Sequence, residues 1–170
     1  MSRVQTWHKL AVGGASAAVM AMAIAGHFEG RKHVAYRDIG GVWTLCDGHT
    51  RGVHAGMKAT DAQCDAWRAE DMHAAESVVK SCYPTIPDAR VQAALDDLAF
   101  NEGHGKSGVK DGVCVLKSGR LPTILRRALA GDWAGVCNGI DAWNKAQGSV
   151  IPGLVRRRAA ERELCLEGTK

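Results

Sequence analysis

Residues 10–28 form a run of nineteen positions without an Asp, Glu, Lys or Arg. Such a run has to be withdrawn from water, and it has three possible destinations: a membrane, a signal segment that is cut away, or a protein core. A helix needs about 20 residues to span a bilayer, so the length just suffices. The composition suits a permanent anchor poorly, because between Leu10 and Gly26 six large apolar residues are diluted by seven Ala, three Gly and a Ser. Each Leu-type residue favours insertion by only about 0.3–0.6 kcal/mol, so a helix of this makeup is a marginal anchor that can leave again. A cleavable signal has the same layout, with Arg3 and Lys9 ahead of the run and Ala23-Ile24-Ala25 as a small-residue cleavage site. The Gly13-Gly14 pair counts against the third reading, a single core helix. Both membrane-directed readings export the main body, with the N-terminus inside, although Arg31 and Lys32 blunt the charge asymmetry.

Export bears on the six cysteines, Cys46, Cys64, Cys82, Cys114, Cys137 and Cys165. Their even number, wide spacing and lack of a CxxC pair favour disulfides in an oxidising compartment, with the connectivity open. Cys46, His49, His54 and Cys64 are also the residue types of a zinc site, but disulfide or hairpin packing accounts for them better, and no metal is expected. The net charge of +4 favours anionic polymers such as cell envelope or nucleic acid. No nucleic-acid reading module accompanies it, and Arg156, Arg157 and Arg158, with Glu161 and Glu163 close behind, read as a solvated helix face. Nucleic acid is therefore not an expected partner.

Residues 33–37 and 42–46 are β-prone runs separated by Asp38-Ile39-Gly40-Gly41, a hairpin signal. Thr60-Asp61-Ala62-Gln63 is a capping box that starts a helix reaching about residue 80. Val91, Ala94, Leu95 and Leu98 recur at helical spacing and predict a helix over 88–101, with Gly103 as its stop. Further helices are predicted over 122–130, 132–143 and 152–166, two with Pro in the first turn. Gly105-Lys106-Ser107 matches the end of a phosphate-binding loop, but the first glycine of that motif falls on Phe100, so a mobile glycine-rich loop is expected instead. The chain thus reads as an α+β, mainly helical protein. Residues 1–26 are the anchor or signal segment and 27–170 one catalytic-sized domain, with a β-containing lobe (27–58) and a helical lobe (59–170).

Glu29, Asp38 and Thr44 lie within sixteen positions around the hairpin. Val42, Thr44 and Cys46 share one strand face and Trp43 and Leu45 the other, so Thr44 can look toward Asp38 across the mouth of the hairpin. Two carboxylates across a cleft suit glycoside hydrolysis: one donates a proton to the leaving oxygen and the other activates water or attacks. A hydroxyl beside the second would orient that water. The spacing is equally compatible with a turn-supporting Asp and a solvated Glu.

The stretch FEGRKHVAYRDIGGVWTLCDGHT resembles the catalytic signature of the phage-type lysozymes, the muramidase family of the T-even phage enzyme (glycoside hydrolase family 24). The likeness continues at LAFNEG, around Trp143 and at GLVRRRAAERELC, covering nearly all of residues 27–168. It implies a lysozyme-like fold with the cleft between two lobes. It implies Glu29 as general acid, Asp38 as the carboxylate that activates water and Thr44 as its positioning partner, with Asn101 and Trp143 as substrate contacts. In that fold, nearness suggests Cys46–Cys64 and Cys137–Cys165, which leaves Cys82–Cys114. The implied substrate is the β-1,4 bond between N-acetylmuramic acid and N-acetylglucosamine in peptidoglycan glycan strands, cut by a monomer without a cofactor, and the implied outcome is lysis of the host cell. The N-terminus resembles the signal-anchor-release segments of some phage endolysins, which are exported tethered to the inner membrane by the general export machinery and released to the periplasm. Glu29 lies three residues beyond Gly26, so a chain rising at most ~3.6 Å per residue holds it within about 10 Å of the bilayer while tethered. Release would then bring it to Asp38 and Thr44. Some such enzymes instead switch by exchange of an anchor cysteine, but no Cys precedes Cys46 here. Two other classes remain: a non-catalytic tethered module that binds cell wall, and a zinc-dependent envelope enzyme.

Overall fold

A computed structural model of the chain describes residues 6–38 and 40–170. Arg3, in the positive flank, and Ile39, in the hairpin loop, lie outside the described residues. The uncharged run is not one helix. It is divided between α1 (Thr6–Val12) and α2 (Ala17–Phe28). Gly14, at φ +73°, takes the left-handed conformation that ends α1, and the Ala15 amide donates to the Leu10 carbonyl at 3.0 Å. Ser16 then caps α2. The glycine pair separates two helices, so the second half of the run is free to be a core helix. Met20, Ala21, Ile24 and Ala25 are buried there, and burying a Met or Ile side chain contributes about 1.5–3 kcal/mol each. A Cβ on Gly26 would fall 2.6 Å from Nη1 of Arg68, so the approach of Arg68 to α2 depends on that glycine. Among the described residues no helix is long and apolar enough to cross a membrane.

The small lobe is built on β1 (Lys32–Arg37) and β2 (Trp43–Cys46), antiparallel, with Tyr36 opposite Thr44 and Arg37 opposite Trp43. Backbone bonds from Ala35 to Met57 (2.9 Å) and from Ala59 to His33 (3.0 Å) lay residues 57–59 along the other edge of β1. Cys46 does not keep the strand alternation expected for it. Its φ of +56° ends the strand, and its sulfur joins Leu45 and Cys64 in a small satellite core. Arg31 fastens this lobe to the next helix, lying 2.6 Å from Asp47, 2.9 Å from Asp61 and 2.6 Å from Asp65.

α3 (Asp61–Cys82) starts with both halves of the capping box formed by Thr60 and Gln63. α4 (Ala89–Glu102) is capped by Asp88, stops at Gly103 with φ +73°, and packs against α2, α3 and the C-terminal helix at the centre of the helical core. α5 (Thr123–Leu129) and α6 (Trp133–Gly139) follow. The helix predicted over 132–143 is cut short. A Cβ on Gly139 would meet Ile124 Cγ2 at 2.6 Å, and the chain tightens there into a 3-10 turn, Ile140–Ala142. A two-residue hairpin, β3 (Lys145–Ala146) and β4 (Ser149–Val150), leads into α7 (Pro152–Glu167). The loop after α4 is pinned rather than loose. Val113 donates to Gly103 at 2.9 Å, Cys114 bonds Cys82, and Gly105 and Gly112 approach so closely that a Cβ on either would collide with backbone. The remaining disulfides are Cys46–Cys64 and Cys137–Cys165. The Arg156–Arg158 run is not a solvated face. Arg156 is exposed, but Arg157 and Arg158 point into the core, where α4 supplies acidic partners.

Candidate active site

Glu29 is the residue that closes α2, its amide donating to the Ala25 carbonyl at 2.9 Å. Its carboxylate therefore emerges where the chain leaves the helical lobe for β1. Nη1 of Arg157 donates to Glu29 Oε1. The same guanidinium is held from behind by Asp97, with Nε to Oδ2 at 2.9 Å and Nη2 to Oδ1 at 2.8 Å. Gly48, at φ +100°, passes the other side of Glu29, with a hypothetical Cβ 3.8 Å from Oε2.

Asp38 opens the hairpin loop. Its Oδ1 accepts from the Val42 amide at 2.8 Å and its carbonyl from the Gly41 amide at 3.0 Å, so the loop backbone fixes the carboxylate. Thr44 is 3% exposed, and its hydroxyl donates to the Val42 carbonyl at 3.1 Å. That bond commits the hydroxyl proton and leaves Oγ1 as an acceptor.

These three side chains line one cavity of about 450 Å³ together with Tyr36 and Lys110. Glu29, Asp38 and Asn101 also line an adjoining cavity of about 420 Å³, together with Lys145, Ala146 and Gln147 of the β3–β4 turn. Each volume lies in the usual range for ligand sites, about 300–1,000 Å³, and the two share a wall of acids. Burial raises the Tyr36 hydroxyl above its ordinary range, and the charges of Glu29 and Asp38 push it the same way. Glu102, on the last turn of α4, lines the second cavity. Its carboxyl is raised by burial, against the pull of Arg158 and Lys110.

Asn101 lies in both cavities and accepts from Arg158 Nη2 at 3.2 Å. Trp143 is half-buried, packs against the helical core, and lies on neither cavity lining. The zinc set is not assembled. Cys46 and Cys64 are bonded to each other, and His49 Nδ1 lies 2.6 Å from Asp71 Oδ2 while its ring stacks on Trp67. Among the described residues no group of three or more metal-ligating side chains converges. The sequence alone does not reveal Arg157, Asp97 and Tyr36 as parts of the site. The one available signal was the pairing of Arg157 and Arg158 with Glu161 at four and three residues' spacing on one helix.

Comparison with known proteins adds a consistent set of likenesses. The family model described as phage lysozyme matches residues 26–161. A SAR-endolysin of Enterobacteria phage P21 is 33% identical over 168 residues, covering 93% of this chain and 92% of that protein. The active form of the P1 phage endolysin Lyz superposes with a TM-score of 0.74 at 26% identity, covering 100% of this chain and 97% of that one. The secreted inactive form of the same endolysin gives 0.51 at 26% identity, over 71% of this chain and 77% of that one. The muramidase domain of SpmX from Asticaccaulis excentricus gives 0.70 at 25% identity, over 86% of this chain and 94% of that one.

Proposed function

The chain belongs to the phage lysozyme family, and on that premise we propose that Glu29, Asp38 and Thr44 are the groups with which it cleaves peptidoglycan. It is a glycoside hydrolase of the lysozyme type. The observation that carries the residue assignment is the convergence of these three side chains on one cavity between the hairpin and the helical lobe. Glu29 protonates the glycosidic oxygen of the β-1,4 bond between N-acetylmuramic acid and N-acetylglucosamine, and Asp38 takes a proton from the attacking water. Asp38 Oδ1 is occupied by the Val42 amide, so Oδ2 is the basic oxygen. The proton of Thr44 is already given to a carbonyl, so its oxygen receives the second hydrogen of that water and fixes its direction. Asn101, in the wall shared by the two cavities, is a hydrogen-bonding contact for the glycan. No step calls for a cofactor.

Glu29→Gln removes the transferable proton and keeps the shape. It is expected to lower the rate of cell-wall clearing at least ~10²-fold with an unchanged folded spectrum. Clearing at the original rate by a folded Glu29→Gln protein would refute the acid assignment.

The N-terminal run carries a second role. The protein is exported with residues 10–28 in the inner membrane and released to the periplasm when that run leaves the bilayer and folds as α1 and α2. Two observations support release of the intact chain. Cleavage after Ala25 would strip Met20, Ala21, Ile24 and Ala25 from the core. The likeness to the active form of the P1 endolysin also extends over the whole chain, whereas the likeness to the inactive form does not.

A further inference from the structure

The loop after α4 brings to the cleft a cation that the hydrolysis does not use. Between Gly103 and Arg120 the chain carries Lys106, Lys110, Lys117 and Arg120 against one acid, Asp111. Of these, Lys110 lines the cavity of Glu29, Asp38 and Thr44, and among the described residues it is the one cation on that lining. The backbone puts it there. The Lys106 amide donates to the Lys110 carbonyl at 2.9 Å and the Lys110 amide to the Lys106 carbonyl at 3.0 Å, which closes a tight turn. The base of that turn is fixed by the close approach of Gly105 to Gly112 and by the Cys82–Cys114 disulfide. Lys110 Nζ donates to the Glu102 carbonyl at 3.3 Å, in the last turn of α4, where the carbonyl ends of the helix attract a cation. Gly103 leaves room for it, since a Cβ there would fall 3.2 Å from Nζ. One of the three ammonium hydrogens is used in this way. Among the described residues Lys110 makes no ion pair, so the other two are open to a ligand in the cleft.

The ligand follows from the charges. The acids Glu29, Asp38 and Glu102 line the two cavities, and Lys145 lines the adjoining one only. A strand of N-acetyl sugars is neutral and needs no cation. In peptidoglycan the ionised groups are the carboxylates of the short peptide on each muramyl sugar, whose own lactyl carboxyl is closed in an amide. An anionic substituent brought up to this acidic wall is repelled unless a fixed cation receives it. We propose that Lys110 pairs with a carboxylate of the muramyl peptide, so that the cleft selects glycan that carries its peptide. Lys110 is then a specificity-determining residue and takes no part in breaking the bond. The inference rests on the glycan lying in the cleft of Glu29 and Asp38.

The test gives the full-length protein soluble peptidoglycan fragments in two forms, one with its peptide carboxylates ionised and one with them converted to methylamides. At low ionic strength the parent is expected to show a KM about 2–5-fold lower on the ionised form, the range of an exposed ion pair. The two forms should share one kcat, as for a contact made equally before and during the reaction. Lys110→Met keeps the alkyl stem and loses the charge, so its KM no longer depends on amidation. Lys110→Arg restores the preference. Lys117→Met makes the same change of charge on the same loop but outside the cleft lining, and it keeps the preference. In about 1 M salt the parent's preference shrinks. A parent that treats the two forms alike overturns the proposal, as does a Lys110→Met variant that keeps the preference or a Lys117→Met variant that loses it. Lys110 is exposed, so its variants are expected to fold. The KM ratios are read on protein that retains Glu29. Rapid hydrolysis by Glu29→Gln would therefore remove the acid assignment without altering them.

Discussion

Gly48 shows how one residue serves both fold and chemistry. It turns the chain at φ +100°, between the end of β2 and His49, and it does so against the Glu29 carboxylate. An added Cβ would find ordinary contact distance at 3.8 Å, so space is not the obstacle. The backbone conformation is, because a side chain there costs about 1–2 kcal/mol. Gly48→Ala is expected to lose about that much stability in urea unfolding and to lower turnover more than substrate affinity, since the turn that relaxes is the one touching Glu29. A variant as stable as the parent would show the turn to be unstrained. Residues of this kind differ in how far they can be read in advance. Glu29, Asp38 and Thr44 stand in a compact motif, whereas Asp97 and Arg157 are 60 positions apart and meet only when α4 and α7 cross. Charges on a helix default to solvent in any reading of one segment, and burial is a property of the pair.

At the scale of elements, the legible features were those decided locally. The Thr60–Gln63 box and the Asp88 cap with its Gly103 stop each fix a helix end through bonds within four residues. α6 ends at Gly139, close to Ile124 of another helix, a meeting that no local pattern shows, and the β3–β4 turn, which lines the second cavity, is too short to show periodicity. The α1–α2 break has the same local character as the caps, and it makes release testable. Gly13, Gly14 and Ser16 are exposed, so Leu at these positions leaves the core untouched while removing the break and lengthening the apolar helix. The triple Leu variant is expected to stay in the membrane fraction and fail to lyse cells, while the parent appears in the periplasm at its full-length mass. Normal lysis by a protein still held in the membrane, or a soluble mass beginning near Gly26, would defeat release of the intact chain.

Across the whole molecule, three disulfides tie the hairpin to α3, the end of α3 to the loop after α4, and α6 to α7. Their loops span 18, 32 and 28 residues, each worth about 3–4 kcal/mol on a chain-entropy account. Stability also responds to pH through Asp96, a buried α4 carboxyl pushed up to about 7 by burial, against the hydrogen bond from Gln92. An unfolded Asp releases its proton near 3.9. The folded chain therefore holds a proton that the unfolded chain gives up, and the stability this contributes drains away as pH rises toward 7. Asp96→Asn keeps the Gln92 bond and has no proton to lose. Its urea midpoint should be close to the parent's near pH 4 and exceed it progressively up to about pH 8. A gap that does not widen with pH would count against a protonated Asp96. The opposing carboxylates, Asp61, Asp88 and Glu76, are held low by hydrogen bonds from Arg31, Arg90 and Lys80 and act equally in both proteins.

Because Glu29 is the residue that closes α2, the cleft is complete only while α2 is docked. Anything that binds the complete cleft is then also a ligand for the docked state, and by mass action it draws the equilibrium that way, by about 2.7 kcal/mol at a hundred times its dissociation constant. On the release proposed above, the substrate would act as an activator of its own enzyme, and each captured glycan strand would resist the return of residues 10–28 to the bilayer.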